Sequence, residues 1–492
     1  MKHDCDIQEI FSLMREVSDE DIELITRAYN FAEKAHEGQL RKSGEPYFIH
    51  VFAVGKNLAS FGMDARTISA GLMHDVLEDT AVTEEEMEKM FGKEIVFLLN
   101  GVTKLGTLKY RGRERHVESL RKFFVAMAED IRVLMIKLAD RLHNVSTLEH
   151  VRPDKSARIA LETIEVHASL ANRLGMGKLK GELEDYAFPF AFPKEYEKVQ
   201  ALLAERTDIS QKNLEQVYHK LRDALDQWGV KNAQIDYRIK HSYSLYRKLE
   251  KYNWDMGKIY DIVALRVIVP TVSDCYQVLG LVHALWKPLP GRIKDYIALP
   301  KPNGYKSIHT TIATETGIAE IQIRTQEMHD EAELGIASHF SYKEHLQNQN
   351  NNGLAKKFAW IDELKEMQKI VSEPSVFLEH LRMDFFRNRI FVFTPKGDVV
   401  DLPEDSSPID FAYAIHSDIG NAISAVKIHG KMSTIGTKLK NGDIVEIVTN
   451  KTAHPTSKWL DYTKTSLARK HIQSYVKEHS LLSKFLSFGI KK

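Results

Sequence analysis

Two groups of ionisable residues in this chain have the composition and order of reaction centres. The first is GLMHDVLEDT, in which His74 and Glu78, and likewise Asp75 and Asp79, stand four residues apart. On a helix these four fall on neighbouring faces and form an acidic, imidazole-bearing patch flanked by Leu72, Val76 and Leu77. Burying such groups is costly unless something positive neutralises them, and a divalent metal is the simplest candidate. His50, after the apolar Tyr47-Phe48-Ile49, and Asp140 in IKLADRLHN, with Asn144 one turn on, add further ligand-type groups. Mixed imidazole and carboxylate ligands suit manganese, iron or zinc better than calcium, with open positions for water and substrate. Any one of these residues alone is more simply an ordinary polar pair, such as His74 with Asp75 or Asp140 with Lys137 or Arg141. Their order and spacing together favour the metal.

The second group calls for phosphate chemistry. DYRIKHSYSLYRKL concentrates Arg238, Lys240, Ser244, Arg247 and Lys248, the positive cradle a nucleoside triphosphate needs. IYDIVALRVIV starts an apolar strand with Asp261, and AEIQIRT alternates so that Glu320, Gln322 and Arg324 share a face opposite Ile321 and Ile323. Carboxylates arriving from separate strands can hold Mg²⁺ between phosphate oxygens. Arg266, five positions from Asp261, points to the opposite face of a regular strand, as a phosphate contact from the far side or as a structural residue. Between the strands, GRIKDYIALPKPNGYKSIHTT sets Arg292, Lys294, Lys301 and Lys306 around Tyr305 and His309, the combination that stacks a purine and grips its phosphates. The plainer alternative is a basic surface loop with a core tyrosine. No GxxxxGK[ST] loop is present, and GMGKLKG at Gly175 lacks the preceding strand that a dinucleotide fold demands.

These residues need three kinds of scaffold. From Asp19 to about Phe192 the apolar spacing is helical, with few Gly or Pro, predicting an all-helical domain over 1–194. The helical stretch EQVYHKLRDALDQWGV then leads into short β-rich runs separated by a Pro/Gly-rich segment, predicting an α/β domain over 195–345. The polar QNQNNNG and the helix LAKKFAWIDELKEMQKIV make 346–387 a linker and connecting helix. Residues 388–450, with strands RIFVFT, VVDLP and DIVEIVT, read as a β-grasp-sized module, and 451–492 as a helical, basic segment. A length of 492 residues is enough for about three domains. Lys plus Arg equals Asp plus Glu at 68 each, which argues against a non-specific nucleic-acid coat but leaves room for a local basic groove. Two cysteines, Cys5 and Cys275, cannot form a disulfide framework. With no long apolar run and no signal-like start, the expectation is a cytoplasmic protein that makes no use of a membrane.

The first group resembles the HD phosphohydrolase superfamily, named for the adjacent His-Asp pair, and more closely the hydrolase domain of RelA/SpoT homologues. The resemblance implies His50, His74, Asp75 and Asp140 as ligands of Mn²⁺, Glu78 and Asp79 as the carboxylates that orient or activate water, and Asn144 as a nucleotide contact. Arg41 and Lys42 in RKSGEPYFIH match the family's guanine-and-phosphate pair. Val51 stands where the family usually has proline, a change expected to alter a turn and not a ligand.

The second group closely resembles the synthetase signature of the same homologues. That implies transfer of pyrophosphate from ATP to the 3′-hydroxyl of GDP or GTP, giving (p)ppGpp. Asp261 and Glu320 would hold Mg²⁺, with Glu320 also accepting the hydroxyl proton. Arg238, Lys240, Ser244 and Lys248 would hold ATP, Tyr305 would stack on guanine, and Arg266, Lys294, Lys301, His309 and Gln322 would complete the substrate contacts. Arg292-Ile293-Lys294-Asp295 matches the basic form associated with bifunctional members. The sequence departs at Tyr237, commonly glycine and expected beside the ATP cradle, at Ser338, commonly alanine, and at Phe340, commonly tryptophan. Residues 388–450 resemble a TGS domain, which implies contact with uncharged tRNA on the ribosome; His416 there is more simply a core or capping residue. The resemblance spans about residues 20–470, and full-length relatives usually continue into further modules. The rival readings are a hydrolase whose synthetase fold serves as a nucleotide sensor, and a non-catalytic ribosome- or tRNA-binding regulator.

Overall fold

The computed structural model describes residues 5–15, 17–106, 130–259, 261–301, 303–315, 317–340, 389–450 and 452–488. It divides into two compact units, residues 1–366 and 367–492. The linker and connecting helix expected over 346–387 lie outside the described residues.

The first unit begins with helices, several of them started by a capping side chain. Asp6 caps α1 (Ile7–Leu13), Ser18 caps α2 (Asp19–Ala35) through a capping box, and α3 (Phe48–Ser60) follows. Asp64 caps α4 (Ala65–Leu72), which precedes the four-residue α5 (Val76–Asp79). Then come α6 (Glu84–Phe91), α7 (Lys93–Gly106), α8 (Ile131–Ser146), α9 (Pro153–Glu162), α10 (Ala168–Arg173), α11 (Gly177–Ala191) and the 35-residue α12 (Pro193–Gln227). α3 and α4 meet through glycines. A side chain on Gly55 would meet Leu72 at 2.7 Å, and one on Gly71 would meet Leu58 at 2.2 Å, so each glycine receives a leucine of the other helix. This close crossing brings His50 toward His74.

The single helix expected through His74 and Asp79 is interrupted. α4 ends at Leu72, and His74 and Asp75 occupy the turn before α5. In an unbroken helix the Gly71 carbonyl would accept from the backbone N–H of Asp75. Here the His74 ring takes that carbonyl, Nδ1 to O at 2.8 Å, and so stabilises the break. Val51, expected at a turn, lies fully buried inside α3.

The α/β half has a six-stranded sheet in the order β1-β2-β6-β5-β3, with β4 also paired to β5. Its strands are β1 (Gln234–Ile239), β2 (Val263–Val269), β3 (Lys287–Pro288), β4 (Lys294–Asp295), β5 (Ile308–Ala313) and β6 (Ile318–Thr325). Its helices are α13 (Ser242–Lys251), α14 (Val272–Leu285), α15 (Gln326–Leu334) and α16 (Ala337–Phe340). β2 and β6 run parallel and the other pairs antiparallel. The register aligns Arg238 with Ala264 and Glu320, and Arg266 with Gln322 and His309, so one face is polar. The alternate residues Leu265, Val267, Ile308, Ile321 and Ile323 are buried, and α12 and α14 pack on the sheet.

The second unit pairs β7 (Arg389–Phe393) with β8 (Val399–Pro403), and β9 (Ile423–Ile428) with β10 (Lys431–Ser433) and β11 (Val445–Thr449). A parallel bridge from Phe393 to Ile444 joins the two groups. α17 (Pro408–Ile415) fills the core with Ile409 and Phe411, and the short α18 (Ser417–Asn421) follows. The segment after residue 450 shares this core: Trp459, Ala468 and Ile472 are buried in it, and α19 (Ser466–Phe488) starts later than the sequence suggested. Asp410, fully buried, ties the segment down by accepting from the backbone of Lys464 and Thr465 at 2.9 and 2.8 Å.

Candidate active sites

In the helical half, α3 supplies His50, the α4–α5 turn His74 and Asp75, and α8 Asp140. Ligand atoms of His50, His74 and Asp140 all lie within 4.8 Å of one another, and all three residues are buried. Asp75 joins them: its Oδ2 is 3.0 Å from His74 Nε2 and 3.5 Å from His50 Nε2. Asp140 Oδ1 is 3.4 Å from His50 Nε2 and 3.8 Å from His74 Nε2.

The imidazoles are oriented for metal binding. His74 Nδ1 donates to the Gly71 carbonyl, leaving a buried Nε2 without a hydrogen-bond partner beside two carboxylates. His143 Nδ1 lies 2.9 Å from Arg41 Nη1 and 3.0 Å from His50 Nδ1. Arginine only donates, so His143 Nδ1 is the acceptor, the His50 hydrogen is assigned to Nδ1, and His50 Nε2 turns its lone pair to the cluster. Histidines held in this way through the second nitrogen are the usual metal ligands, and the donor set fits a divalent ion.

Burial raises the Asp75 and Asp140 carboxyls, but their polar neighbours override it. His74 and His50 hold Asp75 well below the usual range, and Lys137, with the same histidines, does so for Asp140. Burial lowers His74, yet Asp75 and Asp140 push it up to about 9, so the pocket draws a positive charge to Nε2. Glu78 and Asp79 sit exposed at the rim. Desolvation and the charges of Asp75 and Asp79 push Glu78 up.

Around this cluster, Arg41 reaches Asn144 Oδ1 at 2.8 Å, and Asn144 in turn donates to Asp140. Lys42 is exposed in the turn before α3. Sequence reasoning missed His143 and Tyr47, whose hydroxyl donates to Asp75 at 2.7 Å. His143 had a signal, since it stands within the ADRLHN segment. Lys137 does pair with Asp140, at 2.7 Å, but through Oδ2, while Oδ1 faces the histidines. The plain ion pair and the ligand reading therefore coexist.

In the α/β half, Lys240, just after β1, and Lys248, on α13, both direct their ammonium groups at Asp261 Oδ2. Burial raises the Asp261 carboxyl, but the two lysines hold it far below its ordinary value. Burial pushes Lys240 down to about 7, while Asp261 keeps Lys248 raised. Ser244, on the same helix, donates to Glu184 at 3.4 Å. Arg238 Nη1 donates to Gln322 at 2.7 Å, and Gln322 donates to Glu320 at 2.9 Å. The Tyr305 hydroxyl is 2.8 Å from His309 Nε2. Lys301 lies 4.9 Å over the Tyr305 ring and 4.7 Å over Tyr296, which sequence reasoning did not single out. Lys294 is exposed on β4, paired in register with His309.

Other expectations are redistributed. Arg247 turns to solvent and pairs with Glu250, and Lys306 pairs with Glu331 on α15. β2 starts only at Val263, so Asp261 precedes the strand and the opposite-face argument for Arg266 fails. Arg266 shares the face of Gln322 and pairs with Glu333 at 3.3 Å, as does the buried Arg324 at 3.1 Å. Tyr237 lies on the other face from Arg238 and stacks on Tyr218 of α12, with ring centroids 5.7 Å apart, away from the cradle. His416 is exposed and caps α18, accepting from the backbone of Asp418.

Comparison with known proteins matches residues 28–177 to the HD domain, 237–347 to the region found in RelA/SpoT proteins, and 390–449 to the TGS domain. A GTP pyrophosphokinase of Myxococcus xanthus is 46% identical over 94% of this chain and 61% of its own length. A guanosine-3′,5′-bis(diphosphate) 3′-pyrophosphohydrolase of Aquifex aeolicus is 46% identical over 95% of this chain and 66% of its own. The bifunctional (p)ppGpp synthase/hydrolase SpoT of Escherichia coli K12 is 42% identical over 93% and 65%. The chain thus spans just under two thirds of the length of these curated relatives. Among the described residues, no helix is long and apolar enough to cross a membrane.

Proposed function

This chain belongs to the RelA/SpoT family, and on that premise we propose that it both makes and degrades (p)ppGpp. The observation that carries this reading is the presence, in one chain, of two separate clusters, each with carboxylates and with cationic side chains beside them.

For hydrolysis, His50, His74, Asp75 and Asp140 would hold a divalent ion, Mn²⁺ in our reading. When bound, such an ion supplies Lewis acidity that makes water nucleophilic near neutral pH. Glu78 and Asp79, at the rim, take the proton from the attacking water and orient it. The water adds to the phosphorus attached to the 3′-oxygen. That P–O bond breaks, pyrophosphate leaves, and the 3′-oxygen takes back the proton to give the hydroxyl of GDP or GTP. Arg41, Lys42 and Asn144 hold the nucleotide, and Asn144 links it to the ligand Asp140.

For synthesis, Arg238, Lys240, Ser244 and Lys248 hold the triphosphate of ATP. Asp261 and Glu320 would hold Mg²⁺, which when bound would supply charge that offsets that of the triphosphate. Glu320 accepts the proton as the 3′-oxygen attacks the β-phosphorus of ATP; the bond to the α-phosphate oxygen breaks and AMP leaves. Tyr305 stacks on guanine, while Lys294, Lys301, His309 and Gln322 line its approach. Arg266 orders this face through Glu333. The domains run 1–194 for hydrolase, 195–345 for synthetase and 388–450 for the TGS module, which by family resemblance reads uncharged tRNA on the ribosome.

Two incubations of purified protein test the proposal, labelled ATP with GDP and Mg²⁺, and labelled ppGpp with Mn²⁺. New ppGpp in the first and released pyrophosphate in the second are expected. Degradation alone would leave the α/β half a nucleotide sensor, and silence in both would overturn the enzymatic reading.

A further inference from the structure

GMGKLKG, which does not serve a dinucleotide fold, has a different use. Each of its glycines is overlaid by the α/β half. A side chain on Gly175, at φ +76°, would meet the Asn303 carbonyl oxygen at 3.0 Å. One on Gly177 would meet the Ala332 carbonyl oxygen at 2.6 Å, and one on Gly181 the His241 ring at 2.2 Å. Two of these obstacles are backbone, and the third is a ring held by a hydrogen bond, so the spacing lets α11 lie flush against the neighbouring half.

One turn beyond Gly181 stands Asp185. Its Oδ1 accepts from the backbone N–H of Tyr243 at 3.1 Å, and its Oδ2 pairs with His241 Nδ1 at 2.7 Å. Tyr243 is the second residue of α13, whose own N-cap residue, His241, makes no side-chain capping bond. The first N–H groups of a helix have no partner within it, and a carboxylate there both accepts the bond and complements the helix dipole. Asp185 therefore does for α13, from another helix, what a local Asp or Ser does for α1, α2 and α4. The helix it caps carries Ser244 and Lys248.

We propose that Asp185 is a positioning residue for pyrophosphate transfer: by capping α13 from α11 it sets Ser244 and Lys248 where ATP is held. This rests on the synthetase reading above.

The test compares Asp185→Ala and Asp185→Asn in the full chain. It measures KM for ATP and for GDP, kcat of synthesis, and the Kd of a non-hydrolysable ATP analogue by calorimetry. Asparagine keeps an oxygen for the Tyr243 N–H and is itself a good cap. Alanine should raise the ATP KM and the analogue Kd about fivefold, the size of a lost cap. The GDP KM should stay unchanged, and asparagine should restore most of the loss. Unchanged ppGpp hydrolysis in both variants would show that the helical half is intact. Wild-type ATP KM and analogue Kd in Asp185→Ala would overturn the proposal, as would an equal rise in the KM for GDP that asparagine does not repair. A wild-type chain that binds the analogue without synthesis would refute the synthetase reading instead, and the analogue Kd would still decide the capping role.

Discussion

His309 Nδ1 lies 3.4 Å from the Glu320 carboxylate, between the adjacent strands β5 and β6. A carboxylate only accepts, so Nδ1 carries the hydrogen, and Nε2 is left to accept from the Tyr305 hydroxyl at 2.8 Å. Burial raises the Glu320 carboxyl, but this bond and the neighbouring Gln322 hold it below its ordinary value. Burial keeps His309 itself lowered, as a neutral ring. One imidazole thus keeps the proposed base ionised and fixes the aromatic ring proposed to stack on guanine.

Removing the two parts of Tyr305 should separate these roles. Tyr305→Phe keeps the ring and loses the anchor, so the KM for GDP should rise two- to fivefold, on the order of one lost hydrogen bond. Tyr305→Ala loses the stack as well and should raise it about tenfold or more. Steady-state synthesis at saturating ATP checks both. Equal effects of the two substitutions would mean that the ring does not stack on the base.

The two reactions should be separable by substitution. Glu320→Gln is close to isosteric and removes the proton acceptor, so synthesis should fall by about 10² to 10⁴ while ppGpp hydrolysis persists. Asp75→Ala should do the reverse. Parallel assays of each purified variant decide the matter, and loss of both reactions from either single change, in folded protein, would sink the two-site assignment.

Much of this was readable from residue types and order, because the informative residues are consecutive or periodic. The alternation in AEIQIRT put Glu320, Gln322 and Arg324 on one face, and the register agrees. What sequence could not give was where regular structure stops. The break after Leu72 depends on the His74 ring taking a backbone carbonyl, and the late start of β2 at Val263 returned Arg266 to the face of Gln322. Contacts between distant segments were equally illegible. The bond from His143 to His50 spans 93 positions, and that from Asp185 to Tyr243 spans 58. The glycines of GMGKLKG were conspicuous, but their reason lies in Asn303, Ala332 and His241, which no local pattern connects to them.

Chelation should silence hydrolysis and soften the protein together. The buried His74 Nε2 without a hydrogen-bond partner and the paired carboxylates beside it leave the ion-free cluster incompletely satisfied, so a bound divalent ion should stabilise the fold by mass action. At a free concentration near one hundred times Kd the gain is about 2.7 kcal/mol, which corresponds to several degrees in Tm. Calorimetry with chelator, and after adding back Mn²⁺, should show that shift in wild type and lose it in His74→Ala. A wild-type Tm indifferent to both additions would argue against a metal at these residues.

Nucleotide binding at the α/β site should take up protons above neutral pH. Lys301 is an exposed residue, yet desolvation of its ammonium, which lies over the Tyr296 and Tyr305 rings, and the nearby charges of Lys294, Arg238 and Lys248 push it down to about 8. An amine with a lowered pKa gives up its proton earlier as pH rises, so above about pH 8 much of the free protein has lost this cation. Bound phosphates favour the charged form and restore the proton. Proton uptake on GDP binding should therefore be near zero at about pH 6 and reach a large part of one proton at about pH 8.5, with affinity falling over the same interval. Calorimetry in buffers of different ionisation enthalpy measures the uptake directly. Lys301→Arg, whose guanidinium stays charged throughout, should remove most of it while retaining binding. Uptake that persists unchanged in that variant would assign the proton to another group and remove Lys301 from the proposed phosphate contacts.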